Sequence, residues 1–428
     1  MAKHTDPALQ GQIIYSVYVR AHTEAGSFLS IIPDLDRIRA LGTDIIWFLP
    51  IHPIGVEGKK GSLGCPYANR DYRDVNPAYG SMEDFRLLAD EIHKRGMKVM
   101  IDVVYNHTSP DAVLLKEHPE FYYRDREGKP GNKVGDWADV IDLDYSVKAL
   151  WDYQIESLCR WAEIVDGFRC DVASFVPVAF WKKARKAVAL VRPDCVWLAE
   201  TVHRGFGNYV RRLGFHCARD TEAFEAFDLE YEYDVWESFE QFLRGEQPLS
   251  HWLDMLGFQE AVYPDNYNKL RFLENHDQPR IASRVQDPAA LDNLTAMLYF
   301  LKGTTLLYAG QEFSCTHTPS LFEREVFDRS GRDISAYLSR LGQIKRERLA
   351  ALPHFEAVAD DQNAIAVCRR YGEGTQAVGI FSLHGQSAPV RLEVPDGGYV
   401  NLMDGKAFLV KNGRVFCDGK PIIFTLPA

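Results

Sequence analysis

The sequence lacks the features of membrane proteins and exported proteins. Its 428 residues contain no uncharged apolar run of about 18 residues or more, so no membrane span is expected. The first ten residues, Met-Ala-Lys-His-Thr-Asp-Pro-Ala-Leu-Gln, form no apolar signal region. We therefore expect a cytoplasmic protein that has no membrane as a partner.

Metal-ligand spacing is also missing among the eight cysteines, which are scattered along the chain. Several lie inside strand or helix patterns, where a free cysteine behaves as a small hydrophobic residue. The pattern predicts reduced core thiols rather than a disulfide framework. The first strand-like run offers Tyr15, Tyr18 and Arg20 instead of a His-x-His pair, which argues against a metal-dependent barrel hydrolase.

Basic residues are too few for a protein that binds polyanions. The formal net charge is −11 and the isoelectric point is near 5.7. Nucleic acids and anionic membranes require a basic face, so both are excluded as main partners, whereas neutral sugars are not. Hydrophobic residues make up 46% and charged residues 25%, which is typical of a globular protein with ample core. The oligomeric state stays open.

Short apolar runs alternate with longer helical patterns, which predicts βαβ units and a parallel sheet. The runs are continuously apolar, as expected for strands that are buried on both faces. Eight of them favour an α/β fold of the (β/α)₈ or TIM-barrel type over an open sheet. They cover residues 12–19, 44–50, 97–104, 165–171, 195–200, 226–235, 270–273 and 304–309.

Two segments depart from this repeat and define the predicted domains. Residues 106–145 are rich in Gly, Asp, Pro and Tyr, and so long a loop in a compact domain is usually functional. From residue 351 onward, alternating strands are punctuated by Asp-Gly and Asn-Gly turns, as in hairpins. We predict a catalytic barrel of residues 1–105 and 146–350, an inserted loop subdomain of residues 106–145, and a C-terminal antiparallel β-sandwich of residues 351–428.

Three acidic residues come at the ends of apolar, strand-like runs: Asp171, Glu200 and Asp277. The C-terminal ends of barrel strands face the active-site mouth. Two carboxylates are the minimum equipment for cleaving a glycosidic bond, and they stand about 5–5.5 Å apart in a retaining enzyme. Because Asp171 and Glu200 are one βα repeat apart, we expect them on neighbouring strands.

The neighbours of these acids suit the same chemistry. Arg169 shares a strand face with Asp171 and would keep it ionised. Glu200 follows the apolar Trp-Leu-Ala, a setting that raises a carboxyl pKa towards that of a working acid. A lone acid at a strand end is more often a helix cap or an ion-pair member, and His107 and His276 could each be core histidines. The whole set favours catalysis.

Four segments resemble, in order, the sequence signatures of the α-amylase family (glycoside hydrolase family 13). They are Asp102-Val-Val-Tyr-Asn-His107, Gly167-Phe-Arg-Cys-Asp171, Trp197-Leu-Ala-Glu200 and Asn275-His-Asp277. Further pieces around Tyr67, Asp142 and Gly303 are similar, so that the resemblance spans about residues 12–350. The family has a TIM barrel with a C-terminal β-domain, which agrees with the expected fold.

The resemblance implies a role for each motif residue. Asp171 would be the nucleophile, Glu200 the general acid/base, and Asp277 the group that stabilises the transition state. The other motif residues would hold the sugar: His107, Arg169 and His276 through its hydroxyl groups, Tyr67 by stacking, and Asp102 by supporting His107. The implied activity is that of a retaining α-glycosidase acting on α-glucans or malto-oligosaccharides.

Departures from the family pattern bear on the substrate. Many α-amylases have Lys-His where this chain has Ser174-Phe175, and that lysine grips the leaving-group side of a starch chain. We therefore expect short oligosaccharides to be preferred over starch. Val172 resembles the α-1,6-glucosidases of the family. The alternatives are a transglycosylase, an isomerase or an α-1,6-glucosidase on the same scaffold, and a non-catalytic binding subunit.

No cofactor is required by the expected reaction, but a structural calcium ion is suggested by the resemblance. Asn106 matches the calcium-binding asparagine of the family. Asp136, Asp139 and Asp142 in the long loop would supply the hard oxygen ligands that Ca²⁺ prefers. The alternative is that Asn106 caps the loop while the acids face solvent.

Overall fold

A computed structural model describes residues 5–134 and 137–427, and its centre is a closed barrel of eight parallel strands. Up to residue 310 the strands are β1 (Ile13–Val17), β2 (Ile45–Phe48), β3 (Lys98–Val103), β4 (His107–Thr108), β5 (Ile141–Asp142), β6 (Gly167–Cys170), β7 (Val196–Ala199), β8 (Leu229–Tyr231), β9 (Lys269–Arg271) and β10 (Thr304–Tyr308). All except β4 and β5 belong to the barrel, in the order β1-β10-β9-β8-β7-β6-β3-β2. The predicted TIM barrel is confirmed.

Two barrel strands differ from the apolar runs that predicted them. The run 226–235 yields only β8, and the run 270–273 is displaced by one residue because β9 begins at Lys269. Charged residues are almost never fully buried unless they are paired. Here Lys269 Nζ lies 2.5 Å from Asp220 and 3.2 Å from Glu230, and Arg271 lies 2.9 Å from Glu232. These ion pairs allow charged residues inside the barrel wall.

Helices surround the barrel and follow the predicted apolar stripes. Ser81 caps the helix of residues 82–94 through a capping box with Asp84, as expected from the sequence. The helices are α1 (Val19–His22), α2 (Leu35–Ala40), α3 (Met82–Lys94), α4 (Val113–Glu117), α5 (Lys148–Ala162), α6 (Val178–Val188), α7 (Arg204–Arg212), α8 (Asp220–Ala223), α9 (Trp236–Leu243), α10 (Leu249–Val262), α11 (Ile281–Arg284), α12 (Pro288–Phe300) and α13 (Ser335–Ile344). Within residues 5–134 and 137–427, none of them combines the length and the apolar composition needed to cross a membrane.

The segment between β3 and α5 is anchored at the barrel mouth by a short antiparallel pair. In this pair His107 of β4 lies opposite Asp142 of β5, and Thr108 lies opposite Ile141. His107 therefore enters the mouth from a fixed strand rather than from a free loop.

The C-terminal part is an antiparallel β-domain, as predicted. Its strands are β11 (His354–Asp360), β12 (Ile365–Gly372), β13 (Thr375–Ser382), β14 (Ala388–Arg391), β15 (Gly397–Val400), β16 (Ala407–Val410), β17 (Arg414–Cys417) and β18 (Ile422–Pro427). They form a sheet in the order β11-β12-β13-β18 and the pairs β14-β17 and β15-β16. The buried Arg370 joins this domain to the barrel by donating to the carbonyl oxygens of Phe300 and Leu349, each at 3.3 Å. The predicted domain boundaries themselves stay predictions.

Candidate active site

The ends of the neighbouring strands β6 and β7 place two of the predicted acids side by side. Asp171 directly follows β6, and its backbone N–H donates to the carbonyl oxygen of Val103 at 3.0 Å. Glu200 directly follows β7, and its N–H donates to Cys170 at 3.0 Å. Both bonds continue the ladder of the barrel, so the acids are held by rigid backbone.

Val172 directly follows Asp171 and has a strained backbone conformation that directs its N–H towards Glu200. Its φ of 35° lies in the left-handed region, which is an outlier for a β-branched residue. The resulting orientation lets the Val172 N–H donate to Glu200 Oε2 at 2.8 Å. Strain of this kind is concentrated at functional sites, where the surrounding structure sustains it.

One guanidinium group, that of Arg169, contacts three carboxylates. Its Nη1 donates to Asp171 Oδ1 at 2.7 Å and to Asp102 Oδ1 at 2.9 Å, and its Nη2 lies 3.0 Å from Glu200 Oε2. Arg169 is fully buried. A buried charge is tolerated only when it is paired, and here the pairing joins the ends of β3, β6 and β7.

Aromatic rings surround the same guanidinium. Its central carbon lies 5.3 Å from the ring centroids of Trp47 and Tyr231 and 5.6 Å from that of Tyr67, within the range of cation–π attraction. The sequence did not single out Trp47 or Tyr231 as parts of the site. The run around Trp47 is apolar, so it gave no sign of which side chains point into the barrel, and in the run around Tyr231 acids alternate with apolar residues without marking the tyrosine as a site residue.

Tyr67 and His276 form a stacked pair that links two of the acids. The Tyr67 hydroxyl donates to Asp102 Oδ2 at 2.9 Å and lies 2.7 Å from His276 Nε2. The two rings stack with centroids 5.4 Å apart. His276 Nε2 also lies 3.0 Å from Asp277 Oδ2, and the Asp277 side chain remains 41% exposed. Asp277 is thus oriented by a histidine while it stays open to the cavity.

The environments of the three acids separate their proton affinities. Burial raises the pKa of Glu200 to about 7, with Arg169 opposing the shift and Asp171 adding to it. Burial likewise raises the pKa of Asp171, to about 6, again against Arg169. Burial would also raise the pKa of Asp277, but His276 outweighs it and the net shift is downward. Near neutral pH, Glu200 therefore keeps a proton most readily.

His107 lies at the mouth as expected, but its partner differs from the one that the resemblance implies. Asn106 Nδ2 lies 3.2 Å from His107 Nδ1, whereas Asp102 contacts Arg169 and Tyr67 instead. Burial lowers the pKa of His107, so its ring stays neutral near pH 7. A neutral imidazole offers a hydrogen bond to a hydroxyl group without bringing a charge.

One cavity of about 350 Å³ is lined by Tyr67, His107 and the acids, while Asp102, Arg169 and His276 lie behind its surface. All three acids line it, with an aromatic wall that the sequence did not indicate: Trp137, Phe206, Tyr233 and Phe322. A concave, largely apolar site with a few convergent polar groups is typical of small-molecule binding. Aromatic faces also match the apolar faces of sugar rings.

The segment after Asp171 carries no charge, in line with the Ser-Phe pair seen in the sequence. Phe175 is buried, and its ring centroid lies 6.3 Å from Trp137 and 5.5 Å from Phe206. Ser174 is also buried, at 1% exposure. Neither residue presents a cation to the cavity.

Comparison with known proteins agrees with this geometry. The model of the α-amylase catalytic domain matches residues 13–138 and 133–351, and that of the bacterial α-amylase C-terminal domain matches residues 356–424.

The chain belongs to the α-amylase family.

Two solved structures resemble this member of the family over 98% of its chain and 100% of theirs. An α-amylase from Lactobacillus plantarum is 42% identical with a TM-score of 0.95, and a noncanonic maltogenic α-amylase from Thermotoga neapolitana is 31% identical with a TM-score of 0.87. The α-amylase MalA of Haloarcula japonica is 26% identical over 71% of this chain. The chain spans 44%, 66% and 59% of the length of three curated relatives that it matches.

The residues around Asn106 do not fit the calcium ion that the family suggests. Asp142 Oδ1 accepts from Asn106 Nδ2 at 3.3 Å, and its Oδ2 accepts from the backbone N–H of Lys133 at 2.7 Å. The Lys133 ammonium donates to the carbonyl oxygen of Leu143 at 2.6 Å. Both oxygens of Asp142 are therefore already engaged by donors of the chain, and a positive charge rather than an oxygen ligand stands next to the segment.

The other expected ligands do not complete such a site. Asp139 pairs with Lys60 at 2.8 Å, and Asp136 lies outside the described residues. Among the residues that the structure describes, no three His, Cys, Asp or Glu side chains come together to hold a metal. No step of the reaction is assigned to calcium.

We expect chelation with EDTA to leave the melting temperature unchanged, because both oxygens of Asp142 already accept hydrogen bonds from the chain without a metal. Lys133→Met should lower the free energy of unfolding by about 1–3 kcal/mol, since it leaves the carbonyl oxygen of Leu143 without its donor. Thermal unfolding with and without calcium checks both. Lys129→Met is the matched control, because Lys129 is exposed and pairs only with Glu127 on the surface. A melting temperature that falls on chelation and recovers with calcium would contradict the account.

Proposed function

We propose that this protein is a retaining α-glycosidase that hydrolyses α-glucosidic bonds in α-glucans and malto-oligosaccharides. The observation that carries the proposal is the shared guanidinium: Asp171 and Glu200, on adjacent strand ends, both contact Arg169. Two carboxyl groups held this close leave little room for an inserted water, which favours the double-displacement reaction. The relatives described above are named as α-amylases, which supports the substrate class.

In the first step, an Asp171 oxygen attacks the anomeric carbon while the bond to the leaving oxygen breaks. Arg169 holds Asp171 Oδ1, which assigns the attack to Oδ2. Glu200 gives its proton to the leaving oxygen. Because Glu200 Oε2 already accepts from Val172, the proton resides on Oε1. The product is a glycosyl ester of Asp171 and a free alcohol.

In the second step, the deprotonated Glu200 takes a proton from water, and the water oxygen attacks the anomeric carbon. The ester bond to Asp171 breaks and restores its carboxylate. Two inversions give net retention of the α-configuration. The same group serves as acid and then as base, which suits its pKa of about 7.

Asp277 and His276 would act on the sugar as positive charge develops. Asp277 is ionised and partly open to the cavity, so its carboxylate can bind two neighbouring hydroxyl groups. His276 fixes the orientation of Asp277, and the Tyr67 ring is stacked on His276. Fixed groups that meet charge only in the transition state lower the barrier rather than merely tighten binding.

Short oligosaccharides are the proposed substrates. The apolar surface of Trp137 and Phe206, which pack on the buried Phe175, offers stacking but no cation to hold a long polymer on the leaving-group side. Relatives named as oligo-1,6-glucosidases and an intracellular maltogenic amylase support this choice. The latter, from Bacillus subtilis, and eight free cysteines also support a cytoplasmic location.

Transfer of the glycosyl group to a second sugar instead of to water is the alternative reaction, and one observation favours it. The same apolar surface would bind a sugar acceptor in preference to water, and one relative is named as a maltosyltransferase. Incubation with maltoheptaose, isomaltose, panose, sucrose and trehalose, followed by chromatography of the products, distinguishes these reactions. Products longer than the starting sugar indicate transfer, and rearranged disaccharides indicate isomerisation.

Asp171→Asn should abolish turnover of malto-oligosaccharides, with a fall in kcat of at least about a thousandfold, because the nucleophile is gone. Glu200→Gln should be equally poor on these substrates but should still become glycosylated by an α-glycosyl fluoride, whose leaving group needs no proton. Mass spectrometry of the intact protein detects the glycosyl ester. Glu225→Gln is the control, since this exposed acid pairs with Lys182 away from the cavity. Full activity of Asp171→Asn would contradict the proposal.

The pH profile of kcat/KM should be bell-shaped with its maximum between about 6 and 7. Below about 6, Asp171 gains a proton and cannot attack. Above about 7, Glu200 loses the proton that the leaving group needs. These values belong to the coupled pair rather than to either residue alone. With a glycosyl fluoride the alkaline limb should vanish, and an unchanged alkaline limb would argue against Glu200 as the acid.

A further inference from the structure

Two loops meet over one end of the active-site cavity and close it. The first loop, residues 57–66, follows β2, and the second, residues 317–325, follows β10. The Ser62 N–H donates to Glu323 Oε1 at 2.9 Å, and the Ser62 hydroxyl contacts the other oxygen of the same carboxylate. The Leu63 N–H donates to the carbonyl oxygen of Phe322 at 3.0 Å. We call residues 60–64 and 321–323 together the end wall.

Arg20 connects the two loops of the end wall by hydrogen bonds. Its Nη1 donates to the carbonyl oxygens of Gly64 and Leu321, each at 3.3 Å, and its Nη2 donates to that of Leu63 at 3.4 Å. Arg20 is only 7% exposed. A buried, charged donor that bonds carbonyl oxygens of both loops makes their separation costly, because the guanidinium would lose its partners.

The two loops also touch without a gap. Gly61, with a φ of +64°, lies so close to the second loop that an added Cβ would meet Phe322 at 2.6 Å. On the other side, Lys60 forms a 2.8 Å ion pair with Asp139 of the inserted segment. Lys60, Asp139, Leu321 and Phe322 all line the cavity. The end wall is therefore continuous from the inserted segment to the second loop.

The position of the end wall follows from the order of the barrel strands. The wall lies over β1, since its loops follow β2 and β10, the two neighbours of β1. In the closed order β1-β10-β9-β8-β7-β6-β3-β2, β7 is diametrically opposite β1. Glu200 follows β7 and must reach the leaving oxygen, so the leaving group lies on that side. The sugar that becomes attached to Asp171 therefore points towards the end wall.

We propose that the end wall makes this enzyme exo-acting: the non-reducing end of an α-glucan stops against it, and cleavage proceeds from that end without internal cuts. A cleft open at both ends would let a chain pass through, whereas a cavity closed on the glycone side admits only chain ends. The inference rests on the proposed glycosidase function and specifies its substrate as chains with a free non-reducing end.

The test compares two forms of p-nitrophenyl α-maltoheptaoside, one with a free non-reducing end and one whose non-reducing end carries a 4,6-ethylidene group. Products are separated by chromatography without auxiliary enzymes. The wild-type enzyme should shorten the free form stepwise and leave the blocked form intact. Glu323→Ala, which removes the bonds to Ser62, should gain cleavage of the blocked form. Glu325→Ala is the matched control, because Glu325 bonds only within its own loop, to Ser320 and His317.

Each outcome has one meaning. Equal cleavage of both forms by the wild type would overturn exo action while the glycosidase function stands. Cleavage of neither form would overturn the proposed function itself. If the wild type and Glu323→Ala both spare the blocked form, the exclusion does not come from the end wall and the proposal is wrong. Arg20→Lys gives a second variant, in which one amine replaces the fork that spans both loops, and it should also admit the blocked form.

Discussion

Three carboxylates at the barrel mouth depend on one buried cation. Without Arg169, burial would drive Asp171, Glu200 and Asp102 to take up protons, because buried charges of like sign cannot be sustained together. The guanidinium offsets part of that penalty, fixes Asp102 and Asp171 by hydrogen bonds and forms an ion pair with Glu200. The remaining upward pKa shifts leave Glu200 protonated and Asp171 ionised near neutral pH. Double displacement needs one acid in each of these two states.

The sequence predicted those parts of the site that local patterns reveal. Asp171 and Glu200 could be placed because buried parallel strands read as apolar runs, and a polar residue at their end stands out. The positions of β8 and β9 were less clear, since Lys269 inside a strand becomes understandable only when its distant acidic partners are known. Trp47 was not recognised as a site residue, because an all-apolar strand hides which side chains face inward, and Tyr231 was not recognised because the acids beside it in β8 gave no sign that its ring faces Arg169.

Long-range contacts between loops carry no local signal at all. Ser62 and Glu323 belong to loops that are far apart in the chain, and no sequence pattern around either residue predicts their contact. Lys133 was similarly missed, since a lysine in a polar loop is usually solvated, whereas here its ammonium donates to the carbonyl oxygen of Leu143. The end wall and the contacts of Lys133 thus arise from loop packing, while the positions of Asp171 and Glu200 follow from the barrel.

NMR spectroscopy of the first sugar released tests the central claim most directly. An α-linked malto-oligosaccharide is mixed with the enzyme, and the anomeric signals are followed before mutarotation equilibrates them. Double displacement through Asp171 predicts that the α-anomer appears first at the newly formed reducing end, with the β-anomer growing in later. Initial release of the β-anomer would mean a single displacement by water and would contradict the assignment of Asp171 as the nucleophile.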